Sequence, residues 1–202
     1  MWSTLAAATH VANEGSPLVT LVTWAAVIGA CCAATSVDVR CRRIPNKLTF
    51  PMLLAGLIWW LITGGISGLG DSLGGMAIAG LPFIILWIIG GGGAGDAKMM
   101  LAIGAWLGIQ NAFVAAIAVG IAGGILSLVY AKAHRRLLLA ITNTGWMVLT
   151  LPFVLLGPGW LQDRQKLMPA SSDAPLKTPY SVAMLAGTCA AAIWVWSHAS
   201  IL

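Results

Sequence analysis

Charge is what this 202-residue chain has least of: Asp, Glu, Lys and Arg make up 8% of it. A globular protein carries about a quarter, so the surface of a soluble domain could not be covered. Disorder is excluded for the opposite reason, because 59% of the side chains are apolar. Cysteine is scarce and unpaired: Cys31, Cys32, Cys41 and Cys189 form none of the double C-x-x-C patterns that zinc ribbons need. They read as small residues in or near helices. Residues 1–16 lack a basic n-region and contain Glu14, so no cleavable signal peptide is expected. What is present is apolar sequence, with a mean hydropathy of +0.90. Lipid offers unpaired backbone groups no partner, so the expected class is an all-α polytopic membrane protein. The net charge of +5 then reports which loops face the cytoplasm, and nucleic acid is not an expected partner.

The apolar runs and the basic residues orient one another. A first span over Pro17–Val37 ends at Arg40, Arg42, Arg43 and Lys47, which places that end in the cytoplasm. A second run, Leu48–Ile66, leads outward to a glycine-rich external loop at 67–72 whose only charge is Asp71. A third, Leu73–Ile89, returns to Gly90-Gly91-Gly92-Gly93-Ala94-Gly95-Asp96. Between Lys98 and Lys132 lie 33 uncharged residues, long for one crossing of about 20 and short for two. Lys132, Arg135 and Arg136 require the same side as Lys98, so the spacing predicts a hairpin turning at 108–111. Its first arm, Ala97–Leu107, is short enough to start inside the protein. Residues 137–157 are flanked by basic residues on both sides and are expected to lie in the interface. Residues 158–178 read as a cytoplasmic loop, and Tyr180–Trp196 crosses outward. The expectation is one domain over 1–202, with six transmembrane helices and both termini outside.

Six acidic residues are present, and two of them fall at cytoplasmic ends of spans. Asp38 closes the first and Asp96 opens the fourth. An ionisable group at a membrane helix end invites a functional reading. Two carboxylates held together share a proton and supply one acid and one base, which hydrolysis by an activated water requires. Position alone also fits simpler roles, with Asp96 an N-cap and Asp38 a partner for Arg40 or Arg42. Asp71 reads as a solvated turn residue. His10, His134 and His198 form no metal constellation, and no metal or organic cofactor is expected. Trp2, Trp24, Trp60, Trp87, Trp160 and Trp196 lie near span ends as an aromatic belt would. Gly120, Gly123 and Gly124 fit close helix packing.

The segments Asp38-Val39-Arg40-Cys41-Arg42-Arg43-Ile44-Pro45-Asn46 and Gly93-Ala94-Gly95-Asp96-Ala97-Lys98 together resemble the type IV prepilin peptidases. These are intramembrane aspartyl proteases with a G-x-G-D motif. Gly104-Ala105-Trp106-Leu107-Gly108 and Pro179-Tyr180 extend the resemblance. It implies that Asp38 and Asp96 form the catalytic dyad, with Gly93 and Gly95 as the motif glycines that let an extended substrate approach. Lys98 either tunes the dyad or binds lipid phosphate. The implied function is a multi-pass aspartyl endopeptidase of the bacterial inner membrane. It removes the leader peptide from prepilin or pseudopilin partners at the cytoplasmic face. Two other classes compete: a small transporter or channel, and a non-catalytic scaffold of pilus assembly. A transporter needs polar groups along a mid-membrane path, and the spans offer little beyond Ser and Thr.

The chain lacks the paired C-x-x-C insert of larger family members that also N-methylate the trimmed pilin. It therefore resembles the short form of tight-adherence (Flp-type) systems, and no methyl transfer is expected. With S-adenosylmethionine and a leader-bearing pilin supplied, mass spectrometry of the product should show an unmodified new N-terminus. Chelators should leave the cleavage rate unchanged.

Overall fold

The computed structural model describes residues 17–41, 44–88, 93–133 and 180–199. These fold as four long apolar helices: α1 (Pro17–Cys41), α2 (Asn46–Ile88), α3 (Ala94–Ala133) and α4 (Tyr180–Ala199). All are long and apolar enough to cross a membrane. The expected interfacial segment 137–157 and the loop 158–178 lie outside the described residues.

Helix α2 has 43 residues and α3 has 40. At about 1.5 Å per residue each would run to about 60 Å or more, roughly twice the hydrocarbon thickness. Both are broken at a single glycine of positive φ: Gly65 at φ 63° in α2 and Gly108 at φ 68° in α3. That backbone region is open to glycine at little cost, so one residue reverses the chain where a side chain would resist.

Contacts show that both helices double back. In the first arm of α2, Asn46 meets Lys98, while Gly56 lies against Ala105 and Trp106. In its second arm the order is inverted, with Ser72 on Ala105 and Gly80 on Leu101. In α3, Gly123 of the second arm lies against Tyr180 at the start of α4, and Val119 against Gly187. Helix α1 runs antiparallel to α4, with Cys31 beside Thr188 and Asp38 beside Ser181.

The first arm of α3 is the axis of the bundle. Met99, Met100, Ala102, Ile103 and Ala105 are fully buried, whereas Ile62, Ile66 and Ile121 on the outer faces are largely exposed, as lipid-facing residues are. Without a hydrophobic force between helices in lipid, association depends on close packing and interhelical hydrogen bonds. A Cβ on Gly75 would stand 2.5 Å from the Gly104 carbonyl oxygen and 2.6 Å from the Gly108 carbonyl carbon. The two backbones touch there. Alongside, the buried Ser72 hydroxyl donates to the Ala105 carbonyl at 2.6 Å. The Trp60 indole donates to the Trp106 carbonyl and the Trp106 indole to the Met52 carbonyl, both at 2.8 Å.

Several sequence expectations are corrected. There is no loop at 67–72: those residues continue the second arm of α2, and the reversal takes place at Gly65 alone. The turn expected at 108–111 contracts to Gly108. Trp24 and Trp60 are buried rather than set in an interfacial belt, while Trp87 and Trp196 stay half exposed. A tryptophan whose N–H reaches a carbonyl on a neighbouring helix can serve inside a bundle, as Trp60 does. Gly123 does pack closely, against Tyr180, whereas Gly120 and Gly124 have nothing within 4 Å.

The open and closed glycines give a stability test. Gly75→Ala drives a methyl into backbone and should destabilise by about 1–3 kcal/mol. Gly120→Ala faces open space and should be neutral or stabilising by up to about 1 kcal/mol through helix propensity. Thermal unfolding in detergent measures both, and similar losses for the two would contradict the packing.

Candidate active site at one end of the bundle

Asp38 lies in the last turn of α1, which extends past the expected end at Val37 and carries the carboxylate on regular helix. Asp96 lies in the first turn of α3. The amides of Asp96 and Ala97 both bond to the Gly93 carbonyl, at 3.1 and 3.2 Å, which starts the helix. A carboxylate in a first turn is favoured by the free N–H groups and the helix dipole. Gly93 has a further role: a Cβ there would stand 2.8 Å from Asp96 Oδ2. The carboxyl group folds back over this glycine, and a larger residue would push it away.

The two acidic segments meet through their neighbours. Gly95 faces Ile44, with 3.3 Å available to a Cβ, so the G-A-G-D turn packs on the isoleucine before Pro45. The Lys98 ammonium donates to Asn46 Oδ1 at 3.1 Å. Ile44 and Asn46, just beyond the basic cluster, thus clamp the start of α3. Asp38, Asp96, Gly93, Gly95 and Lys98 are all brought to one end of the bundle, and Lys98 is engaged with a side chain of the clamp.

Helix α4 completes this end. Tyr180 packs edge-on against Phe83 of α2, with ring centroids 6.0 Å apart. Ser181 is buried and donates from Oγ to Asp38 Oδ2 at 2.7 Å, while its carbonyl accepts from Thr35 Oγ1 at 3.1 Å. Sequence reasoning missed Ser181. A polar residue opening an apolar span, next to the Pro-Tyr pair, was the available signal. It also missed Asn46 as the Lys98 partner, because nothing in a linear pattern shows a contact across 52 positions.

Asp71 is at the other end and is not a solvated turn residue. It projects from α2 to the break in α3, where Oδ1 accepts the Ile109 amide at 3.1 Å. It caps the second arm of α3 from a neighbouring helix, the role a local N-cap residue usually plays. A cavity of about 270 Å³ lies beside it, lined in part by Thr20, Trp60 and Gln110. That cavity is remote from the Asp38–Asp96 end.

Fold and site together describe a polytopic helical membrane protein with two helix-end carboxylates, Asp38 and Asp96, at one end of its bundle. The chain belongs to the type IV leader peptidase family, which matches residues 24–128. The match takes in Asp38, the G-A-G-D turn and Lys98, and stops short of α4. Among curated relatives, the prepilin leader peptidase/N-methyltransferase of Aeromonas salmonicida is 32% identical over 146 residues, covering 66% of this chain and 47% of that protein. The protein of the same description from Neisseria gonorrhoeae is 32% identical over 130 residues, covering 57% and 44%. That from Escherichia coli K12 is 29% identical over 157 residues, covering 72% and 68%. The chain spans about half the length of the first two. No solved structure matches it.

Proposed function

We propose that this protein is an intramembrane aspartyl endopeptidase that cleaves leader peptides from prepilin-like substrates. The observation that supports the reading is that Asp38, in the last turn of α1, and Asp96, in the first turn of α3, come to the same end of the bundle, where α4 closes over them through Ser181 and Tyr180. In this reading the two carboxylates hold one proton between them. The ionised member takes a proton from a water, whose oxygen attacks the scissile carbonyl carbon. The protonated member donates to the carbonyl oxygen, and collapse of the tetrahedral intermediate releases the amine with a proton returned from the dyad. Gly93 lets the Asp96 carboxyl fold back over it, and Gly95 lets the turn pack on Ile44, so the two glycines set the position of the second aspartate. The substrate class implied by the family is a short basic leader, a glycine at the cut and an apolar helix held in the membrane.

The same reading places the dyad at the cytoplasmic face. Arg40 and Lys47 stand at this end, as the positive-inside rule requires. Six crossings follow in this reading: α1, the two arms of α2, the two arms of α3, and α4. The start of α1 and the end of α4 then face outward. Single cysteines introduced into a Cys-free background test this with membrane-impermeant maleimide. A thiol at the native Cys41 position should stay unlabelled in right-side-out vesicles, and Ser197→Cys should label. The reverse pattern would invert the orientation.

Asp38→Asn and Asp96→Asn each remove one carboxylate with little change of shape. Residues acting as a unit lose about as much singly as together, so each variant and the double variant should abolish leader cleavage alike. Asp71→Asn, at the far end, should stay within about threefold of wild type while losing up to about 1 kcal/mol of stability through its weakened cap. Cleavage of a purified leader-bearing pilin in detergent, with unfolding followed in parallel, supplies both readouts. Substantial turnover by a well-folded Asp38→Asn would end the aspartyl-protease reading in favour of a scaffold or transport role.

A further inference from the structure

The dyad is symmetric in chemistry but not in its surroundings, and the difference lies in α4. Asp38 receives a side-chain hydroxyl, that of Ser181, at 2.7 Å. Asp96 folds back over Gly93, whose backbone amide is its donor, and receives no side-chain donor among the described residues. Ser181 is 1% exposed, so water does not compete for its hydroxyl hydrogen. A buried hydroxyl needs an acceptor, and among the described residues Asp38 Oδ2 is the one within reach.

Ser181 is itself held in place. Thr35 Oγ1 donates to the Ser181 carbonyl at 3.1 Å. Thr35 and Asp38 are three residues apart on α1 and so lie on one face of the helix. Together they grip a single residue of α4, Thr35 by its carbonyl and Asp38 by its hydroxyl. The grip fixes the rotation of the Asp38 carboxylate, occupying Oδ2 and leaving Oδ1 for another partner.

We infer that Ser181 is a positioning residue that holds Asp38 as the ionised, water-activating member of the pair and leaves the shared proton on Asp96. The inference rests on the aspartyl-protease reading. A hydroxyl donating to a carboxylate stabilises the charged form, which is the form a general base requires. With Oδ2 bound to Ser181, Oδ1 is the oxygen that takes the proton from water. The other ionisable groups at this end of the surrounding elements are Asp96, Lys98, Tyr130 and Lys132 on α3, Tyr180 on α4, Lys47 on α2, and Cys32, Arg40 and Cys41 on α1 itself. Lys98 is engaged with Asn46, and Arg40, Cys41 and Lys47 are exposed. None of these supplies Asp38 with a second buried hydroxyl.

The test is the pH profile of leader cleavage in Ser181→Ala and Thr35→Val, with the intact protein in detergent. A general base is active when deprotonated, so activity falls as pH drops through its pKa. Without the donor the charged form loses a partner, so the acid limb of kcat/KM should move up by about one pH unit. At the wild-type optimum kcat should fall by about tenfold or more, with KM within about twofold. Thr35→Val removes the grip on the carbonyl but keeps the hydroxyl, so its acid limb should stay where wild type has it. Ser181→Cys, a weaker donor of similar size, should move the limb in the same direction by less, and it serves if the alanine variant does not fold. A loss of yield or thermal stability with an unmoved acid limb would make Ser181 purely structural. A shift of the alkaline limb instead would make Asp38 the acid. Either result overturns the inference. Absence of cleavage by the wild-type protein would instead overturn the protease reading on which it rests.

Discussion

The contact between Gly75 and Gly104 is the one on which the rest of this molecule leans. There the backbones of α2 and α3 approach so closely that neither position has room for a methyl group. In lipid, helices gain nothing from hiding apolar surface, because lipid tails are as apolar as leucine. What holds them is dispersion at short range, together with hydrogen bonds such as Ser72 to the Ala105 carbonyl. The first arm of α3 is thereby seated among neighbours along its whole length, and Asp96 is carried on its end. A carboxylate on a loosely packed helix would wander by more than acid–base chemistry tolerates. Here the supporting arm has fully buried side chains at Met99, Met100 and Ile103 just beyond the aspartate.

The two reversals follow from the same constraint. A chain in a bilayer must keep its backbone hydrogen bonds inside helices, so a long connecting loop at membrane depth is costly. Gly65 and Gly108 each turn the chain with one residue in the left-handed region. At Gly108 the amide of the next residue is met by Asp71 from α2. The far end of the bundle thus has an aspartate engaged in holding the structure together. The near end has two, Asp38 and Asp96, carried on the ends of different helices. Similar residues at helix termini acquire different meanings from what stands beside them.

Fold class was legible because composition left almost no alternative, and the candidate site because two short segments combined acids with unusual neighbours. The span count could be argued from charge alone, since Lys98 and Lys132 demand an even number of crossings between them. Where sequence reasoning failed, it relied on position within a run. Trp24 and Trp60 lie near the ends of apolar stretches, yet both are buried. Asp71 sits amid glycines that suggest a loop, yet it is on a helix and caps another. Glycine is a turn signal in water, but between membrane helices it is equally a packing surface, and a linear pattern does not separate the two.

By itself, then, the sequence determined the helical membrane class, the approximate spans and the two aspartates that stand at helix ends. These depend on local composition and on charge, both of which are read along the chain. Tertiary structure decided that Asp38 and Asp96 come to one end of the bundle, that Lys98 is engaged with Asn46, and that Ser181 reaches Asp38 rather than its own helix. It also decided which glycines reverse the chain and which admit a neighbour. Those outcomes depend on contacts between residues up to 143 positions apart. Which face of a helix meets which neighbour is settled only when close packing selects one arrangement of the whole bundle.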